Sequence, residues 1–241
     1  MIRKLSLIII LILIYQITLA AKDVKITHIS GEAKIRRGVE ETWEDAARGM
    51  LLKEIDTIQT GEKAEVTLKI NSGKIFKLMS NAQLDICDLR EVTEKEMLLF
   101  LMSKKIQKIE HRKQKTPLRV GNVSVVHGES KAEKNKAADK NFEKNIWRKE
   151  TNGAKALFDF LYYTNTVVKL NKILSKYSTE NDCGEIHYYL GRSFEALNKS
   201  GQAIDAYEVV IKNYQNQGCN SIEANKWFSE AQVAVKKLKK K

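Results

Sequence analysis

The hydrophobic period of this chain changes once along its length, and that change bounds what it can fold into. From Asp23 to Ile86 apolar residues recur at every second position, the signal of strands with one buried and one wet face. In the clearest run Ala64, Val66, Leu68 and Ile70 point one way, and Glu65, Thr67 and Lys69 the other. Asn71-Ser72-Gly73 then closes a hairpin, with Gly73 free to adopt positive φ. Phe76 and Leu78 return, and Leu84 and Ile86 follow the Ser80-Asn81 turn. Gly31, Gly38 and Gly61 punctuate the same segment at strand ends, so the expectation is a small all-β sandwich or roll. Beyond residue 153 the period becomes 3.6, and an α-helical array is expected.

Four regions follow: a leader at 1–20, a β-domain at 22–128, a charged linker at 129–152 and a helical domain at 153–241. The linker is rich in Lys, Glu, Asn and Ala, and Trp147, its one bulky residue, is expected to dock onto a domain. In the leader Arg3 and Lys4 precede an apolar run from Leu5 to Tyr15, and Thr18-Leu19-Ala20 supplies the small residues of a signal-peptidase site. Cleavage after Ala20 and a periplasmic location are expected. The alternative is an uncleaved single-span inner-membrane anchor, since Leu5 to Ala21 is 17 residues, at the short limit for a bilayer core of about 30 Å.

Without residues 1–20, 40 Lys and Arg stand against 30 Asp and Glu. Two basic runs, Lys104–Lys115 and Lys236–Lys241, lack interleaved aromatics that would stack on bases, so they read as solvated surface and no nucleic-acid partner is expected. His28, His111, His127 and His187 are scattered without ligand spacing, and His187 is expected to pack in the core. No nucleophile elbow, phosphate loop or paired-carboxylate motif occurs, so no catalysis, metal or cofactor is expected. Asp56 and Asp85, two acidic residues within strand patterns, are assigned to turns or hydrogen bonds. A hydrolase would require a pocket holding strongly perturbed titratable groups.

The succession ISGEAKIRRG, Trp43, GMLLKEIDTIQTGEKAEVTLKINSGKIFKL and NAQLDI resembles the FecR domain, the periplasmic module of bacterial envelope regulators. The matching positions are Leu52, Asp56, Ile58, Thr60, Gly61, Ala64, Val66, Leu68, Ser72 and Gly73, over residues 24–86. These residues imply a fold and no ligand. Regulators of sigma factors in that family carry a cytoplasmic segment before the membrane, whereas four residues precede the apolar run here, so no anti-sigma role is implied.

Between Glu94 and Lys113 the family pattern and local propensity conflict. Propensity favours helix; the resemblance favours strands, and the expectation adopted is a buried strand over Met97–Met102 with a turn at Ser103-Lys104-Lys105. Cys87 is expected to end the preceding strand and pack as a small apolar side chain.

In HYYLGRSFEALNKSGQAIDAYEVVIKNY, Leu190-Gly191, Phe194, Ala203, Tyr207 and Val210 resemble one tetratricopeptide repeat, with its turn at Asn198-Lys199-Ser200-Gly201. Gly191 and Ala203 lack bulk where two helices cross, and aromatic rings fill the space. Leu157, Phe160, Leu161, Val167, Leu170, Ile173 and Leu174 are expected as the core of a preceding helix pair, and Trp227, Ala231 and Val235 as that of a closing helix. The resemblance implies a concave partner face carrying Tyr188, Arg192 and Glu195. Cys183 precedes the first helix of the repeat and Cys219 follows the second, so their ends meet in an antiparallel hairpin. A disulfide, which needs Cα atoms roughly 4.4–6.8 Å apart, is expected between them. The functional expectation is a periplasmic protein-interaction or scaffold protein that binds another envelope protein or peptide. The alternative is a membrane-anchored sensor whose β-domain binds an envelope ligand such as a glycan.

Overall fold

The computed structural model describes residues 24–113, 145–178 and 182–240. The leader with its cleavage site after Ala20, and residues 114–144, which hold most of the expected linker, lie outside the described residues.

The described residues open with eight strands: β1 (Val24–Ser30), β2 (Ala33–Arg36), β3 (Trp43–Asp45), β4 (Leu51–Leu52), β5 (Thr57–Thr60), β6 (Glu65–Ile70), β7 (Ile75–Leu78) and β8 (Gln83–Asp85). They form two antiparallel sheets, ordered β4-β1-β6-β7 and β3-β2-β5-β8. Alternation in β6 works as its sequence dictates, with Val66, Leu68 and Ile70 buried and Lys69 exposed. Ile26, Leu68, Phe76 and Leu78 from the first sheet meet Ile35, Ile58 and Leu84 from the second in one core. Each such side chain contributes about 1.5–3 kcal/mol on burial.

Polar residues of the same segment close its turns. The buried Asp56 carboxylate accepts from the backbone N–H of Lys53 at 2.9 Å and of Gly38 at 3.2 Å, and from Arg37 Nη1 at 2.8 Å. Burial alone would raise its pKa; the Lys53 N–H, Arg37 and the Gly38 N–H together hold it below the usual carboxylate range. Thr60 Oγ1 donates to the Met79 carbonyl at 2.6 Å and accepts from Ala82 N–H at 3.0 Å.

After a 3-10 turn at Ile86–Leu89 the described residues form six helices: α1 (Glu94–Lys113), α2 (Ile146–Asp159), α3 (Tyr163–Lys176), α4 (Glu185–Ala196), α5 (Ser200–Gln217) and α6 (Ile222–Leu238). The first corrects the strand expectation. Thr93 and Glu96 form a capping box: the Glu96 N–H donates to Thr93 Oγ1 at 3.2 Å, and the Thr93 N–H returns a 2.8 Å bond to the Glu96 carboxylate. The Thr93 N–H, then Arg90 and the Thr93 hydroxyl, which also donate to the carboxylate, lower the Glu96 pKa to about 2. Met97 is fully buried against the helical core. Cys87 is also corrected, being an exposed free thiol in the 3-10 turn.

A further correction concerns the linker, whose last residues belong to α2. Trp147 docks as expected and Thr151 is buried beside it. Gly153 presses on β8 so closely that a Cβ there would sit 2.0 Å from the Gln83 carbonyl oxygen, so only glycine permits the contact. Ala156 and Leu157 then complete the β core, and Phe160 lies 4.8 Å from the Phe76 ring. Leu161, expected in the core, is 69% exposed, because it occupies the turn into α3 at φ 66°.

From α3, Asn165 Nδ2 donates to the carbonyls of Asp88, at 2.7 Å, and Arg90, while its Oδ1 accepts from Val92 N–H at 3.2 Å. Lys169 Nζ, also on α3 and buried, lies 2.6 Å from Asp85 and 2.7 Å from Asp88. The β-module and the helices are thus joined through α2 and α3.

In the α4–α5 hairpin a Cβ on Gly191 would meet the Tyr207 ring at 2.6 Å, which is the reason for glycine there. Ala203 is fully buried as expected. Cys183 and Cys219 form a disulfide across the hairpin's open end, with Cα atoms 5.8 Å apart and a sequence separation of 36. Closing such a loop contributes about 4 kcal/mol in the chain-entropy treatment.

Candidate functional site

The sequence places an unusual number of aromatics on α2 and α4, and the fold gathers them. Phe158, near the end of α2, lies 5.3 Å from Tyr163 and 5.5 Å from Tyr189, both edge-on. Tyr189 contacts Tyr188 at 5.4 Å, and Tyr188 stacks at 6.3 Å on Trp227 of α6. Two cations rest on this sheet of rings. The Arg192 guanidinium stands 5.0 Å from the Phe158 ring and 5.8 Å from that of Tyr188, and Lys155 Nζ lies 5.5 Å from Tyr189. Their charge states differ in compensation. Lys155 pairs with Glu185 at 2.7 Å, whereas among the described residues no carboxylate lies within 4.0 Å of Arg192.

The stripe expected to face a partner is split by this arrangement. Tyr188 is buried at 3% exposure because α6 covers it, and its hydroxyl donates to Glu230. Burial, then Glu230, pushes that phenol up to about 12. Tyr188 therefore supports the surface from beneath. Arg192 is exposed, one turn on. Glu195 is half-buried, accepting from Tyr207 at 3.2 Å and pairing with Lys237 at 3.4 Å, beside a shallow groove of about 300 Å³ between α4 and α6. Half-exposed Phe158, Tyr163 and Tyr189 were not singled out in the sequence. Their signal is the dipeptide Tyr188-Tyr189, since neighbours on a helix serve different faces and only one can enter the core.

A second cleft, of about 450 Å³, lies in the β-module beside Arg37, Val39, Lys53 and Ile55. Its guanidinium is committed to Glu44 at 2.6 Å and Asp56 at 2.8 Å. Between the modules, Asp85 is held below the usual carboxylate range: burial opposes this, and Lys169 and Thr57 overcome it. Burial pushes Asp88 up, with Lys169 opposing. Burial works against the charge on Lys169, yet Asp88 and Asp85 hold its pKa above lysine's ordinary value. His187 is partly buried, and desolvation lowers its pKa, Asp182 opposing.

Among the described residues no cluster of three His, Cys, Asp or Glu side chains could hold a metal ion, and no helix is long and apolar enough to cross a membrane. The chain matches no family model, no curated protein and no solved structure.

Proposed function

We propose that this is a non-catalytic envelope protein that holds another protein or a peptide, built from a FecR-like β-domain and a short tetratricopeptide-like array. The observation that carries the reading is the surface of Phe158, Tyr163 and Tyr189 with Arg192 exposed on it and free of any ion pair among the described residues. Half-exposed aromatics and an arginine are the residues that dominate binding energy when covered. They suit a peptide that presents a carboxylate beside apolar side chains.

The Cys183–Cys219 bridge supports an oxidising compartment, in keeping with export by the leader. The FecR likeness is supported by the work Asp56 and Thr60 do in closing turns, since a pattern built from such residues belongs to a scaffold. The test is photo-cross-linking in cells from position 189 or 192, against position 212, exposed on α5. The reading expects a discrete adduct from 189 and 192 that disappears with Phe158→Ala, and none from 212. Equal capture from all three, or from none, overturns it.

A further inference from the structure

Among the described residues, helices α2, α4 and α5 each end beside a residue in the left-handed conformation. After α5 it is Gly218 at φ 61°, and after α4 it is Asn198 at φ 57°. Glycine has no Cβ to clash there, and asparagine tolerates the region better than most side chains. After α2 it is Leu161 at φ 66°, the only aliphatic residue at positive φ among the described residues. The closing bonds are the same at α2 and α4. Tyr162 N–H donates to the Leu157 carbonyl at 2.9 Å and Leu161 N–H to that of Phe158 at 3.0 Å. Lys199 N–H likewise donates to Phe194 at 2.8 Å and Asn198 N–H to Glu195 at 3.0 Å. The apolar pair that accompanies this motif is Leu157, in the β core, and Tyr162, packed against that core. A leucine at 161 is therefore needed for neither the bonds nor the apolar pair, and its side chain stands 69% exposed.

We infer that Leu161 is an apolar anchor of the partner surface, and that the partner is a folded protein with a recess to receive it. The inference rests on the reading of Phe158, Tyr163, Tyr189 and Arg192 as a binding surface. Leu161 lies in the turn between Phe158 and Tyr163, whose rings are 5.3 Å apart, so it continues that surface. An exposed leucine held at a costly backbone angle gains little within its own chain, whereas covering it on a partner removes a large apolar side chain from water. A side chain that projects from a turn is enclosed only by a concave site, and concave sites are built from several elements of a folded chain. An extended peptide offers a row of side chains and no hollow. The half-exposed rings of Phe158 and Tyr163 then seal the edge of the contact against water, and Arg192 calls for a carboxylate at the rim of the recess.

The test uses the full chain as cells process it and begins without any partner. Leu161→Asn, which puts at α2 the residue found at α4, should melt about 2–4 °C higher than the natural chain through relief of the left-handed leucine. A variant that melts lower uses Leu161 for its own packing, which overturns the proposal. A photo-cross-linking residue at 161 should then give in cells the same adduct as one at 189 or 192, and Leu161→Asn should abolish the adduct formed from 189. An adduct from 189 and 192 that persists in Leu161→Asn, with none from 161, overturns this inference and leaves the binding surface standing. Capture from none of the three positions overturns the binding surface, and the inference with it. A cross-link from 161 to another segment of the same chain also overturns it. To separate the two kinds of partner, the cross-linked segment is made as a short free peptide and compared with the whole captured protein. The peptide should bind at least about tenfold more weakly, since it lacks the recess. Equal binding overturns the folded-partner assignment in favour of a linear peptide.

Discussion

Helices α1 and α2 flank the same charged segment, residues 114–144, yet their exposures are the reverse of what their compositions suggest. EKEMLLFLMSKK at the start of α1 is the more apolar, yet it buries Met97 and leaves Leu99, Met102 and Ile106 open. IWRKETNGAKALFD in α2 looks like linker, yet Trp147, Thr151, Gly153, Ala154, Ala156 and Leu157 are all buried. What decides burial is the fit of one face to a surface already present. α2 meets β8 through a glycine and completes the β core with Leu157, whereas α1 touches the helical body along one edge. Apolar content measures the need for a partner, and the sequence alone does not say whether that partner is in the same chain.

The largest effect should come from the joint that keeps α2 in place. Lys169→Met leaves Asp85 and Asp88 without their cation, and loss of one member of a buried ion cluster costs about 4 kcal/mol. Urea unfolding would show it, and adding Asp85→Asn and Asp88→Asn should recover much of the loss. Next comes a matched pair of truncations. Leu157→Ala should cost about 3 kcal/mol, and Met102→Ala less than about 0.5. Similar costs for the two would erase the contrast between the helices. Gly153→Ala should cost about 2 kcal/mol, because the added methyl meets backbone at β8 that cannot swing aside.

An acid titration should separate the carboxylates. The folded pKa values of Asp56 and Asp85 lie below their unfolded ones, so their contribution is present above about pH 4 and is lost as pH falls through the folded values. Asp88 is raised, so its contribution has the opposite sign and grows as pH falls from neutral. Stability should therefore hold down to about pH 4 and fall below it, and Asp56→Asn should flatten the acid limb of the urea midpoint. A smaller effect than that of Gly153→Ala is expected at the α1 cap. Thr93→Ala should cost about 1 kcal/mol, seen as faster amide exchange over residues 94–98 with α2 unchanged.

Much of this was legible in the sequence because the causes are local. The Ala64–Ile70 alternation, the Asn71–Gly73 turn, the small residues Gly191 and Ala203, and the meeting of Cys183 with Cys219 each follow from spacing within one hairpin. The misreadings involve causes that spacing does not carry. For α1 the capping box TEKE was present in the sequence, but the FecR resemblance was set against helix propensity alone and outweighed it in favour of a strand. For α2 the reason for Gly153 is a carbonyl on Gln83, distant in sequence, and nothing near Lys169 in the sequence points to its partners, Asp85 and Asp88, which belong to the other module. At the candidate site Arg192 was readable as exposed, whereas burial of Tyr188 depended on where α6 would lie.

The central claim is that α2 and α3 weld the β-module and the helices into one cooperative unit. Native-state amide exchange of the whole chain tests it most directly, since it reports the opening free energy of each element separately. If the claim holds, the slowest amides of β5, β8, α2 and α3 open with free energies within about 0.5 kcal/mol of one another, and Lys169→Met lowers them together. Strong protection in β5 and β8 alongside α2 amides that exchange at the rate of unstructured chain would contradict it.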